Sequence, residues 1–306
     1  MPIVSAVNGL WADALDPIVQ FRTDLAFSRH QSLLSQLFNV QTSNRAYEAV
    51  SGVGAISPDA FENYKNGGMI PEVDFDQGYK ATYIHVEYPI DFSIERKTID
   101  DADFNSVFRV AERIGDSAFL FREQKAASVF NNAMSGSFLG PDGVALCSDA
   151  HPHSPQKTGV TQDNNLALSL TKTNLRLARE AMMGFTDDNG NKVGAVPTML
   201  LVPPALEDEA IEIVNSFQNP DNANNTINPM FGRFRVQPWH YLTDSNRWFL
   251  IDEMRMRQSL DWFDRVPFSV YLRDGDDRTV RAFWRAYQRF SFGWSDWRWV
   301  IGSEAS

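Results

Sequence analysis

The chain has 306 residues and a formal net charge of −11, from 28 Lys and Arg against 39 Asp and Glu. That length can bury a sizeable core in one large domain or two. The acidity, uninterrupted by any basic cluster, argues against general nucleic-acid binding. No apolar run approaches the roughly 20 residues of a membrane span, and the single Cys147 excludes an internal disulfide framework and fits a reducing compartment.

Residues 1–50 hold one modest amphipathic segment near 26–38 in polar surroundings and no signal-peptide pattern, which predicts an extended arm with a short helix. Its apolar residues, among them Trp11, Leu15, Ile18, Val19 and Phe21, need a surface elsewhere to cover them, in the same subunit or a neighbour. Residues 51–76 are rich in turn formers; "GVGAIS" lacks the third glycine, the Walker lysine and the strand–loop–helix setting of a phosphate loop. Over 80–96 the strand signal is strong. Thr82, Ile84, Val86, Tyr88, Ile90, Phe92 and Ile94 share one parity, and His85, Glu87, Asp91 and Glu95 the other. Pro89 cannot donate to a ladder and suggests an edge or a bend. With "MIPEVDFDQ" and a turn near Gln77–Gly78, the pattern predicts a long projecting hairpin that needs something to lie against.

From 101 to 136 apolar residues recur at steps of three and four: Phe104, Val107, Phe108, Ala111, Ile114, Ala118, Phe121, Val129, Phe130, Ala133. This predicts an amphipathic helix about 50 Å long, capped by Asp100, Asp101 and Asp103 and stopped by Gly136. Beyond it, a helix over 168–183, a buried strand "TMLLVP", a helix "PALEDEAIEIVNSF" and strands "FRVQPWHYL" and "WFLIDEM" predict an α/β lobe over about 160–245. Val266, Phe268, Val270 and Leu272, then Ala282, Trp284, Ala286 and Phe290, flank Asp274–Gly275 as a hairpin. Arg281, Arg285 and Arg289 fall on its opposite face, a solvated or interface face. "SFGWSDWRWV" reads as a closing strand against the long helix.

Catalytic patterns are absent: there is no GxSxG and no HExxH. Cys147, Asp149, His151 and His153 could contribute part of a zinc site for a metal-dependent hydrolase. Against that stands a structured loop in which Asp and His side chains hydrogen-bond to backbone.

The stretches "QGYKATYIHVEYPIDFSIERKTIDD" (77–101), "KAASVFNNAMSGSFLGPDGVALCSDAHP" (125–152), "PTMLLVPPALEDEA" (197–210) and "SFGWSDWRWVIGS" (291–303) resemble the major capsid proteins of tailed bacteriophages, in the branch of the Mu-like major head subunits. The resemblance implies an α+β fold of the Hong Kong 97 type. Its expected parts are an N-terminal arm (1–50), an extended hairpin or E-loop (51–97), a peripheral domain (98–160 and 246–306, with the spine helix at 101–136) and an axial domain (161–245). It implies a non-enzymatic subunit, needing no cofactor or metal, that builds hexamers and pentamers of an icosahedral head around DNA. A separate scaffold protein, a portal, and a maturation protease and decoration protein are the implied partners, with assembly in the host cytoplasm and residence in the virion. The expected contacts between copies are Trp11, Phe21, Tyr79, Tyr83, His85, Glu87, Arg281 and Arg285. An encapsulin-like compartment shell is the alternative within the same fold. For the loop-lysine crosslink of some such shells, Lys65, Lys80 and Asn131 or Asn132 are available by residue type, with nothing placing them together.

Overall fold

The computed structural model describes residues 4–56, 72, 77–101, 103–218, 227–273 and 281–304, and the side chains of all of these except 4–11, 14 and 99. The N-terminal segment is more regular than its sequence suggests. A 25-residue helix, α1 (Val4–Ser28), replaces the expected extended arm, and only the four-residue α2 (Leu34–Leu37) falls in the predicted 26–38 window. The inner face of α1 is built from Ala12, Leu15, Val19 and Ala26, a mixture whose small members give little hydrophobic contrast.

The chain then runs through β1 (Asn39–Thr42), β2 (Tyr47–Val53), β3 (Gln77–Ile84), β4 (Val86–Glu95) and a short α3 (Arg96–Asp100) into α4 (Phe104–Asn131). The long helix thus forms where its periodicity predicts, with 28 residues. Of the three candidate aspartates only Asp103 caps it, accepting from the Ser106 amide at 3.2 Å; Asp100 belongs to α3. It ends at Asn131, before Gly136, because Asn131 is held on both sides. Its amide donates to the Tyr241 carbonyl at 2.9 Å and accepts from the Thr243 amide at 3.0 Å, while Arg247 Nη1 reaches its carbonyl at 2.7 Å. The Asn131 side chain is therefore engaged within its own subunit; Lys65 lies outside the described residues.

α1 crosses α4 at Gly115. A Cβ there would strike the Thr23 carbonyl oxygen and come within 2.8 Å of the Ala26 Cβ, so the missing side chain is what lets the two backbones touch. Arg22–Glu112, Arg29–Asp116 and His30–Asp116 ion pairs flank the crossing.

The remaining elements are the two-residue β5 (His151–Pro152), β6 (Thr161–Gln162) and β7 (Asn165–Leu166), then α5 (Lys172–Met183), β8 (Met199–Val202), α6 (Glu207–Asn215), β9 (Arg235–Pro238), β10 (Arg247–Ile251), α7 (Glu253–Ser259), β11 (Leu260–Arg273), β12 (Arg281–Trp294) and β13 (Val300–Glu304). Two sheets organise them. One has the order β1-β11-β12-β4 and carries α1 and the first half of α4 on one face; Trp284 Nε1 donates to Asp16 of α1 at 3.0 Å. The other has the order β7-β13-β10-β8-β9 and packs, with α5 and α6, around the C-terminal end of α4.

Four expectations change. The strand over 80–96 is two strands in two sheets: β3 pairs with β2, β4 with β12, and the change of partner occurs at His85. Gln77 and Gly78 lie in β3 instead of a turn, and most of "MIPEVDFDQ", like Asp274–Gly275, lies outside the described residues. The lobe sheet is not confined to 161–245, since β10 and β13 complete it. Residues 291–294 finish β12, and only Trp299 of the closing stretch meets the long helix, edge-on to Phe130 at 6.1 Å.

Candidate assembly surface

The root of the β2/β3 hairpin is built from polar side chains, while its far end is held to the body by Gln156 Nε2 donating to the Gln77 carbonyl at 3.2 Å and by the Asn189 side chain donating to the Ala55 carbonyl. β1 passes into β2 at Ser43 and β3 passes into β4 at His85, so the two legs meet between the sheets. His85 Nε2 lies 3.2 Å from Ser43 Oγ, and its Nδ1 lies 2.9 Å from Ser291 Oγ on β12. Beside it, Tyr83 Oη donates to Asp261 Oδ2 at 3.3 Å, and Asn39 Nδ2 donates to Asp261 Oδ1 at 3.2 Å. Tyr83, His85 and Asp261 are all about 95% buried. Burial pushes the Asp261 carboxyl up, only partly opposed by the Asn39 and Tyr83 hydrogen bonds, and pushes the Tyr83 phenol up as well, with the nearby Asp261 adding to it. Burial lowers His85, reinforced by Arg289 and Arg265 and opposed by Glu48.

Beyond this root the hairpin covers little of itself. Tyr47, Val53 and Ile84 are more than half exposed, where a two-stranded ribbon is marginal without a surface to lie on. Tyr79 is half-buried at the hairpin rim beside Asp142 and Arg298. A second apolar surface lies on the outer side of α1: Ile18, Phe21 and Leu25 form a stripe at helical spacing, with Phe21 63% exposed. The Trp11 side chain lies outside the described residues. A third is a groove of about 420 Å³ between α4 and β4/β12, walled by Ile90, Ile114, Phe121 and Phe268, where the buried Gln288 Oε1 has no hydrogen-bond partner.

The arginine face of β12 is self-neutralised. In the β12/β4 register Arg281 stands opposite Glu95, Arg285 opposite Asp91 and Arg289 opposite Glu87, and each facing pair makes an ion pair. Arg285 grips Asp91 with two bonds of 2.6 and 2.8 Å, and Arg273 of β11 reaches the same carboxylate at 2.6 Å. Those two guanidinium groups, Arg285 foremost, hold the Asp91 carboxyl down at about 2. A carboxyl depressed in the fold stabilises it fully above its unfolded pKa, near 3.9, and loses that contribution as pH falls toward about 2. Asp91→Asn is therefore expected to lower the urea midpoint at pH 6 and to leave it unchanged at pH 2. An equal deficit at both pH values would show that the ladder carries no charge-dependent stability.

The residues that could hold a metal do not converge. Cys147 is buried against Gly302, its thiol pushed up to about 12 by burial. His151 sits between Asp142 (2.6 Å) and Asn164 (3.1 Å) and stacks on Trp297 at 4.2 Å, while the His153 carbonyl accepts from Arg298. No group of three metal-ligating side chains forms among the described residues.

Of the eight residues expected at contacts between copies, the structure thus turns Tyr83 and His85 inward and pairs Glu87, Arg281 and Arg285 within the subunit; Phe21 stands out in solvent. Sequence reasoning missed Ser43, Asp261 and Gln288. A polar residue of buried parity, as Gln288 is between Ala286 and Phe290, is the signal that could have found the last.

A family model described as Phage capsid protein matches residues 86–302. No curated protein matches the chain. Among solved structures, the capsid of the cyanophage P-SCSP1u aligns with a TM-score of 0.58 at 12% identity, over 91% of this chain and 89% of that one. The capsid of bacteriophage JBD30, decorated with minor capsid protein trimers, gives 0.55 at 15% identity over 70% of this chain and 92% of that one. The holo-SrpI encapsulin complex from Synechococcus elongatus PCC 7942 gives 0.53 at 11% identity over 90% and 88%. At these identities the likeness is one of fold, and the fold is that of the Hong Kong 97-type shells.

Proposed function

Because the chain belongs to the phage capsid protein family, we propose that it is the head subunit that closes, as hexamers and pentamers of itself, into an icosahedral shell around double-stranded DNA. Its role is structural and its place is the virion. The observation that carries the closure is the hairpin: two strands on which Tyr47, Val53 and Ile84 stay more than half exposed. Such a ribbon gains its stability from a neighbour, and repeated large interfaces between identical copies are how closed assemblies are held. The stripe of Ile18, Phe21 and Leu25 on α1 is the second contact of this kind.

On this reading the N-terminal arm is α1 and α2, the E-loop is the β2/β3 hairpin, the peripheral domain is α4 with the four-stranded sheet, and the axial domain is the lobe around the five-stranded sheet. Tyr79 remains a contact at the hairpin rim, while the ion ladder leaves its face without free positive charge for DNA to adhere to. A separate scaffold protein, a portal, a maturation protease and a decoration protein complete the head, which is assembled in the host cytoplasm. The likeness to SrpI favours a second reading, a cargo-holding compartment; the phage capsid family match weighs against it.

Expressed with its neighbouring genes, the protein is expected to form closed shells by electron microscopy, and Phe21→Asp to leave a folded subunit that assembles at least tenfold less. Monomers under every condition, or shells filled with one cargo protein in place of DNA, would overturn the head reading.

A further inference from the structure

The polar root of the hairpin has a proton logic of its own. Ser43 Oγ donates to Glu48 Oε1 at 2.6 Å, so toward His85 it acts as an acceptor, and it also accepts from the Arg45 amide at 3.1 Å. His85 Nε2 therefore carries the hydrogen. Its Nδ1 is then the lone-pair side, receiving the Ser291 hydroxyl at 2.9 Å. Both nitrogens of a neutral imidazole are satisfied, and one ring ties the two legs of the hairpin to each other and to β12.

A proton can enter only at Nδ1. It converts that acceptor into a donor, so the Ser291 hydroxyl must turn to accept from it and its own hydrogen loses its acceptor. The new cation is buried with Arg289 of β12 and Arg265 of β11 nearby; Glu48 of β2 is the favourable charge, and Glu87 of β4 is already engaged with Arg289 at 3.8 Å. Burying a charge without a dedicated partner is costly.

We propose that His85 is a proton-operated latch: neutral, it clamps the hairpin root to β12, and protonated, it loosens that clamp while Gln156 and Asn189 still hold the far end of the hairpin to the body. The second fastening answers acid in the opposite sense. Asp261 faces only the neutral donors Tyr83 and Asn39 and favours its protonated form, so acid relieves that buried charge. Acid thus weakens the His85 fastening and keeps the one at Asp261, so the loosening is local to the root.

The direction follows from the lowered imidazole. A histidine harder to protonate in the fold than in the open chain contributes stability that is complete above about pH 6.5 and is lost as pH falls below it. Hydrogen exchange on the full, unassembled chain reads the latch directly. After correction for intrinsic rates, peptides spanning 81–90 are expected to lose protection between pH 7.5 and pH 5.5, by up to about tenfold, the change in the protonated partition of an ordinary imidazole over that interval. Peptides of β8 and β10 should stay protected. His85→Gln should remove the pH dependence. Ser291→Ala, which deprives the neutral ring of its donor, should lower protection at pH 7.5 and shrink the further loss on acidification. Equal protection of 81–90 at both pH values, a pH-dependent loss that survives in His85→Gln, or an undiminished loss in Ser291→Ala would each overturn the latch. Its consequence for shell geometry rests on the head reading, but the measurement does not: failure to assemble leaves these exchange results standing.

Discussion

Phe130→Ala is expected to lower unfolding stability by about 4 kcal/mol, within the range for truncating a fully buried aromatic. The ring sits in the last turn of α4 with no exposed surface. It meets Trp239, Phe249 and Trp299 edge-on at 5.7, 5.3 and 6.1 Å, so a single side chain joins the long helix to two connecting segments and to strand β10 of the lobe. Three large rings cannot collapse into the space of a fourth without breaking their own packing, and the cavity persists. Urea denaturation followed by tryptophan fluorescence measures the effect, because these indoles are part of the site. A loss under about 1.5 kcal/mol, the size of a conservative core swap, would mean that the lobe closes over the gap and that the helix end is not its anchor.

Arg122→Met comes next, at about 3 kcal/mol, the lower end of the range for breaking a buried ion pair. Arg122 and Asp264 are 11% and 15% exposed and 2.8 Å apart, and the guanidinium lies 5.1 Å from the Trp262 ring and 5.5 Å from that of Phe290. Methionine keeps the stem and removes the charge, leaving Asp264 with only the Trp262 indole N–H at 3.0 Å. Arg122→Lys should recover less than half of the loss, since an ammonium reproduces neither the planar fork nor the stacking. Full recovery by lysine, in the same urea titration, would reduce the contact to a bare charge pair.

What could be read from the sequence was whatever has a period. The long helix, the β11/β12 hairpin and the buried parity of Ala282, Trp284, Ala286 and Phe290 all announce themselves, because one face of each element meets one apolar surface. α1 was illegible because its contact with α4 is made by closeness: Ala12, Ala26 and Gly115 bury backbone against backbone, and small residues hardly register as apolar. The change of partner at His85 left no mark either. Alternation depends on which side a residue faces, and that continues unbroken from β3 into β4 while the neighbouring strand changes. In the Cys147–His153 loop the sequence pointed to side chains bonded to backbone, whereas His151 finds the side chains of Asp142 and Asn164. The acid–arginine ladder was half visible: each strand showed its charges, but pairing them needs the register.

That ladder also guards against misfolding. β4 is a long edge strand that reaches β12 from far away in sequence, the kind of pairing most exposed to slippage. A slip of one residue is prevented by the apolar face, which would turn to solvent. A slip of two keeps that face inward, and there hydrophobicity gives no warning. The charges do: one such shift sets Arg281, Arg285 and Arg289 opposite Lys97, Ser93 and Pro89, and the other opposite Ser93, Pro89 and His85. Acids and arginines spaced by four on both strands work as a checksum, satisfied in full by one alignment. For a subunit needed in many identical copies, each flaw in one hairpin becomes a flaw in the wall, and three surface ion pairs that add little to stability can still decide which alignment survives.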